Sequence, residues 1–235
     1  EYYRRVPKDM KGNLRYRAKA LALAKQDKKY AEEFWMMCSR DLLFYVNMFC
    51  WTYDPRIGSG KLPFITYGFQ DESLTDMNEA IGVHDLVIRK SRDMGASWML
   101  LTVFEWRWHF HSGQSFLLVS RNEDYVDKPG NPKSLFWKID FIHEHLPGWL
   151  KPKTTRTKLR LTNESNGSTI DGESTTGDVA RGDRRTAIGL DEFAAFDVDA
   201  GYRALASTRD ATKSRIFNST PAGSGNAFFD MAHKN

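Results

Sequence analysis

Phe34, Cys38, Leu42, Tyr45 and Phe49 recur at spacings of three to four, which predicts one amphipathic helix over Tyr30 to Phe49. Ahead of it, Arg15 to Lys29 is rich in Ala, Leu and Lys, the composition of a basic surface helix. Trp51 to Leu62 interrupts the periodicity with Asp54-Pro55 and Gly58-Ser59-Gly60, which reads as a loop and a subdomain boundary. Beyond it, short apolar runs alternate with longer helical ones. Asp85 to Arg89 predicts a buried strand, Ala96 to Phe110 a helix apolar nearly all round, and Phe116 to Ser120 a second strand. Residues 122–133, around Asp127-Lys128-Pro129-Gly130, predict an exposed loop, and Leu135 to His145 a helix closed by Pro147-Gly148. Lys158 to Leu161 and Ser168 to Ile170 flank the turn pair Asn166-Gly167, and Thr186 to Leu190 and Arg215 to Asn218 are two further short strands. Strands separated by helices imply a mainly parallel sheet covered on both faces, with any ligand at the carboxyl ends of its strands.

Composition agrees with this picture. A chain of 235 residues suits one α/β domain with a small appendage, and 41% apolar with 13% aromatic residues can build a sizeable core. Charge redistributes the emphasis. Residues 1–30 hold ten Lys/Arg against three Asp/Glu, a local +7 that leaves −3 for the remainder of a +4 chain. The basicity therefore belongs to the leading segment, as phosphate contact or as a solvated helix face. Cys38 and Cys50 lie among aromatics and read as reduced core thiols, and the pairs His109/His111 and His143/His145 lack the framework of a zinc site. The longest apolar run, Leu42 to Trp51, is too short to span a bilayer, so a soluble cytoplasmic protein is expected.

Three predicted strand ends carry polar groups that suit one chemistry. The first opens into Lys90-Ser91-Arg92-Asp93-Met94-Gly95-Ala96-Ser97. A Walker A loop has Gly, four residues, then Gly-Lys-Ser/Thr; here Lys90 replaces the first glycine and Ala96 the lysine. The chemical requirements are backbone N–H groups at a helix start, a hydroxyl for Mg²⁺ and a cation. Gly95 permits the close approach and Ser97 supplies the hydroxyl. A loop wrapped round a triphosphate brings its ends together, so Lys90 at the entrance can replace a lysine at the exit, with Arg92 as a second cation. The second end is the strand Thr186 to Leu190 followed by Asp191-Glu192, a Walker B arrangement in which Asp191 holds Mg²⁺ and Glu192 orients the attacking water. The third ends in Ser219-Thr220-Pro221. Together they point to hydrolysis of a nucleoside triphosphate.

This ordered set resembles the ATPase domain of the large terminase subunit of tailed bacteriophages, over roughly residues 61–235. Lys90 stands where that family often displaces its phosphate-loop lysine, and Arg92 where it commonly has an arginine. Leu161-Thr162-Asn163, Asn166-Gly167-Ser168-Thr169-Ile170 and Arg181-Gly182 are similar to its run ahead of the Asp-Glu strand, and Ser219 to Gly223 to its coupling segment. The resemblance implies a P-loop NTPase core of ASCE type over 61–235, preceded by a basic helical segment or lid over 1–60. It implies nucleotide contacts from Gln70 and from Lys90, Ser91, Arg92, Asp93, Met94, Gly95, Ala96 and Ser97, with Gln70 reading the adenine edge. Ser97 and Asp191 would hold Mg²⁺, and Glu192, Arg92 and Arg181 would be catalytic, Arg181 as a finger offered to a neighbouring subunit. Ser219 and Thr220 would sense the γ-phosphate and couple hydrolysis to movement.

The activity so implied is ATP hydrolysis driving double-stranded viral DNA into a procapsid. The implied partners are that DNA, further copies of the chain in a ring, a pentamer on the procapsid, the portal protein and the small terminase subunit. The implied place is the host bacterial cytoplasm, with no membrane. The family also carries a C-terminal nuclease for which this sequence shows no spaced acidic cluster, so no DNA cleavage is expected. Lys151, Lys153, Arg156, Lys158 and Arg160 form a basic run that suits DNA gripping or a solvated strand face. The competing functions are a nucleic-acid-binding module whose loop has lost ATP, favoured by Ala96 and the basic leader, and another DNA-translocating ATPase such as a helicase.

Overall fold

Two aspartates divide the N-terminal helical stretch. In the computed structural model, which describes residues 2–175, 179–180 and 183–233, α1 (Met10–Gln26), α2 (Lys28–Arg40) and α3 (Leu42–Phe49) follow one another almost without linkers. Asp27 and Asp41 are extended, and each caps the helix that follows: Asp27 accepts from the Lys29 N–H and Asp41 from the Phe44 N–H. The single helix expected over Tyr30 to Phe49 is therefore two. An Asp side chain that satisfies the orphan N–H groups of a new helix competes with continuation of the old one. The carbonyls at the end of α3 are met by buried Arg17, which donates to the Asn47 and Cys50 oxygens at 2.8 and 2.9 Å.

The expected loop after α3 contains a small antiparallel hairpin, β1 (Trp51–Tyr53) with β2 (Lys61–Pro63). It leads into α4 (Gly68–Ala80), which the apolar pattern did not announce. The order is then β3 (Leu86–Arg89), α5 (Ala96–Phe110), β4 (Ser115–Ser120), a single turn α6 (Glu123–Val126) and α7 (Leu135–His145). The chain continues through β5 (Thr154–Thr157), β6 (Arg160–Asn163), β7 (Thr169–Ser174), β8 (Ala187–Asp191), α8 (Val198–Ser207), β9 (Arg215–Ser219) and α9 (Ala227–His233). The segment 122–133 is not wholly exposed loop, since α6 buries Val126.

The main sheet runs β3-β9-β8-β4-β7-β6-β5. Its first five strands are parallel and the last two antiparallel. Side chains alternate across it as the pleat requires. Phe116 and Leu118 of β4 face the layer of α5, α7 and the N-terminal helices, while Leu117 and Val119 face the layer that includes Phe193, Phe196 and Phe228. Gly189 of β8 lets α5 lie close, because a Cβ there would meet Leu100 and Phe104 at 3.1 Å. Tyr45 and Phe49 of α3 belong to the same core as α5, so the N-terminal helices pack on the sheet layer itself. Cys38 and Cys50 are buried free thiols within it. Among the described residues no helix is long and apolar enough to cross a membrane.

Candidate functional site

Parallel strands align their carboxyl ends, and the order β3-β9-β8 places three of them side by side. The 90–97 loop follows β3, Ser219-Thr220 closes β9, and Asp191-Glu192 closes β8. Residues remote in sequence consequently meet. The Lys90 ammonium lies 2.5 Å from a Glu192 carboxylate oxygen and donates to the Thr220 hydroxyl at 3.1 Å. The Ser97 hydroxyl reaches both Asp191 oxygens at 2.8 and 2.9 Å.

Two backbone features aim these groups. Gly95, the residue before α5, has φ +74, which a Cβ would strain, and it turns the loop into the helix start. Glu192 has φ 53 although it is not glycine, an uncommon conformation that turns its side chain off the strand line. Asp93 also has positive φ, and its carboxylate pairs with Arg56 of the β1–β2 turn at 3.4 Å. Arg92 and Ser91 are exposed, and among the described residues neither side chain makes a hydrogen bond or ion pair. Ala96 is buried at the first turn of α5.

Asp191 is the most constrained of the set. Burial pushes its carboxyl above the ordinary carboxylate range, and the charge of Glu192 adds to this; the Ser97 hydrogen bond, the field of Lys138 and the Asn218 amide oppose it. Asn218 faces Asp191 in the β8–β9 register and donates to it at 2.7 Å. Neither Asn218 nor Lys138 was singled out from the sequence. Asn218 is a buried polar residue at the end of an apolar strand, and Lys138 a lysine on the buried stripe of an apolar helix; each mismatch is readable in hindsight.

Other expected site residues are placed differently from one another. Ser219 is fully buried; its hydroxyl accepts from the Ala194 N–H at 3.0 Å and donates to the Thr220 carbonyl, so it ties β9 to the turn after Glu192. Gln70 is buried, receives the Tyr67 N–H on its oxygen at 3.1 Å and donates to the Met94 carbonyl at 3.0 Å. Its amide thus braces the 90–97 loop against the start of α4. Arg181 lies outside the described residues, while nearby Arg185 is held by Asp171, Asp183 and Ser115. Within the basic run, Arg156 pairs with Asp127 and Asp140, Lys158 with Glu123 and Arg160 with Asp171. Most of that run is an ion-paired strand face.

A cleft of about 1220 Å³ opens along the loop, lined by Tyr67, Gln70 and the β1–β2 turn together with Lys90, Ser97, Lys138 and Glu192. Among the described residues no group of three or more His, Cys, Asp or Glu could hold a metal by itself. The Ser97 hydroxyl and the Asp191 carboxylate are nevertheless hard oxygen donors, and among the described residues the carboxylate is hydrogen-bonded only by neutral groups. That donor set fits magnesium, which takes one or two protein oxygens and completes its shell with water and phosphate.

No protein-family model and no curated protein matches the chain. Solved structures do. The large terminase ATPase domain of Thermus phage P74-26 matches at 19% identity and a TM-score of 0.45, over 66% of this chain and 67% of that one. A large terminase from a thermophilic bacteriophage matches at 12% identity and 0.41, over 66% and 39%. The large terminase of HK97 bacteriophage superposes with a TM-score of 0.59 at 15% identity, over 83% of this chain and 41% of that chain, so this chain spans less than half of that protein. The mainly parallel α/β sheet flanked by helices that the sequence led us to expect is thus the fold shared with the HK97 large terminase.

Proposed function

We propose that the chain binds and hydrolyses ATP in this cleft, and that hydrolysis drives double-stranded viral DNA into a procapsid, as the motor domain of a terminase large subunit. The observation that carries the reading is the pair of contacts Ser97–Asp191 and Lys90–Glu192, which join a phosphate-type loop to an Asp-Glu strand end. The shared fold supports the packaging assignment.

In this reading the backbone N–H groups of the loop, with Lys90 and Arg92, bind the phosphates at the start of α5. Ser97 and Asp191 would hold Mg²⁺, which when bound offsets charge on the phosphate oxygens. Asn218 keeps the Asp191 carboxylate turned towards Ser97. Phosphate competes for the Lys90 ammonium, and Glu192, released from it, accepts a hydrogen bond from the attacking water and polarises it. Thr220, sharing Lys90 with Glu192, is placed to register that exchange, and Ser219 passes it to the turn after β8. Gln70 sets the loop position at the base end. Assembly into a ring, with Arg181 acting on a neighbour's site and with portal and small-subunit partners, completes the proposal.

Calorimetric titration with ATP, with and without magnesium, tests the nucleotide part. Magnesium-dependent binding supports it, and no binding in either condition overturns it in favour of a nucleic-acid-binding module. Filter binding of double-stranded DNA over a salt series tests the translocation part. Phosphate-directed contacts predict affinity that falls steeply with salt; no affinity at low ionic strength in the assembled ring refutes it.

A further inference from the structure

The buried stripe of α7 contains a lysine. Leu135, Ile139 and Ile142 pack into the core, and Lys138 lies among them with only 9% of its surface exposed. Burying an ammonium is costly unless it is paired, yet among the described residues no carboxylate forms an ion pair with it. Its partners are two backbone oxygens just ahead of α7, the carbonyls of Lys133 at 2.9 Å and Ser134 at 3.4 Å. An ammonium has three N–H donors, so one remains. The side chain lines the same cleft as Lys90, Ser97 and Glu192, and it lies within the field of Asp191, the partner of Ser97. Lys90 is meanwhile committed to Glu192 and Thr220, and Ala96 supplies no charge.

We propose that Lys138 is a phosphate-binding residue of this cleft, its third N–H donating to the terminal phosphate of a bound nucleoside triphosphate. The inference rests on the reading of the cleft as a triphosphate site. It assigns part of the positive charge that the 90–97 loop lacks to α7, which packs in the same layer as α5. The terminal phosphate is the target because Lys138 stands within the field of Asp191, which bonds Ser97 and precedes Glu192, the residues read here as acting at the reacting end of the nucleotide. The two carbonyls hold the ammonium in place before the ligand arrives, so little side-chain entropy is lost on binding. Burial lowers the Lys138 ammonium to about 8, partly offset by the field of Asp191, which leaves it charged at neutral pH.

The test is calorimetric titration of the whole chain with the magnesium complexes of a non-hydrolysable ATP analogue and of ADP, for wild type, Lys138→Met and Lys138→Gln. Loss of one charge-assisted contact to the terminal phosphate predicts triphosphate affinity weaker by about tenfold or more, with ADP affinity changed by less than about threefold. Gln keeps a donor for the Lys133 and Ser134 carbonyls and removes only the charge, so it separates loss of charge from loss of those hydrogen bonds. Unchanged triphosphate affinity, or equal loss for both nucleotides in the Gln variant, overturns the assignment while leaving the site reading intact. Wild-type protein that binds neither nucleotide defeats the site reading and this inference with it.

Discussion

Replacing Lys90 by Met separates folding from chemistry. Among the described residues the Lys90 ammonium bonds the Glu192 carboxylate and the Thr220 hydroxyl, and the Glu192 side chain is 41% exposed. After the substitution that carboxylate remains hydrated, so the lost pair costs little, about 1 kcal/mol or less. The Thr220 hydrogen bond adds about 1 kcal/mol. A total of about 1–2 kcal/mol lowers the melting temperature of a domain this size by about 2–8 °C. Turnover should respond far more strongly. No lysine follows Gly95, and a preorganised donor at a phosphate in a water-poor site contributes about 10²–10³ in rate. The assay is phosphate release at saturating ATP and magnesium beside a thermal melt of the same preparation. A variant that melts within that range and loses turnover by about a hundredfold or more supports Lys90 as the loop's phosphate cation. Turnover within about tenfold of wild type would refute the displacement of the lysine to the loop entrance.

Three further substitutions probe the supporting shell. Asn218→Ala removes a buried amide from Asp191 and should cost about 1–3 kcal/mol of stability, with more magnesium needed for half-maximal phosphate release; an unchanged magnesium titration would count against its role. Glu105 is fully buried on α5 and accepts from Tyr45 at 2.8 Å, His143 at 2.9 Å and His109 at 3.2 Å. Burial alone would raise its carboxyl, but the two histidines outweigh it and hold it at about 2. Its contribution is therefore present above the unfolded value near about 4.3 and lost as pH falls towards 2. Urea unfolding of Glu105→Gln should show a loss of about 3–5 kcal/mol at pH 6 that shrinks below pH ~4. Lys138 has the opposite sign: with its folded value lowered to about 8, the unfolded state binds more protons between there and about 10.4. Lys138→Met should accordingly be more stable than wild type at pH 7, by up to about 3 kcal/mol, with the gain fading as pH rises towards 10 in chemical unfolding.

What could be read in advance follows from how strongly each segment advertises its environment. Ala96–Phe110 and Leu135–His145 were legible to the residue because both are long apolar runs with clear stops, and β4 and β8 because central strands buried on both faces are almost wholly apolar. The break at Asp41 was not, since one capping carboxylate inside an apolar run leaves the three-to-four spacing intact. The hairpin of β1 and β2 has only three residues per strand, too few to show alternation, and α4 presents a mostly polar surface. At the site, Lys90, Asp191, Glu192 and Thr220 drew attention because each ends or follows a strand, and Ser97 because it offers a hydroxyl at the start of the helix after the loop. Asn218, Lys138 and Glu105 were hidden because burial is a tertiary property: within an apolar strand or helix a single polar residue reads as the solvent-facing position until the neighbouring layer is known. The two unassigned roles of Gln70 and Ser219, brace and tie, likewise depend on partners 24 and 25 residues away.

Steady-state phosphate release from ATP by wild type beside Glu192→Gln asks whether Glu192 acts on water in a hydrolytic site. Magnesium-dependent release is expected from wild type, and in the variant a fall of about 10²–10⁴ with ATP still bound. Release by the variant at the wild-type rate would contradict that role.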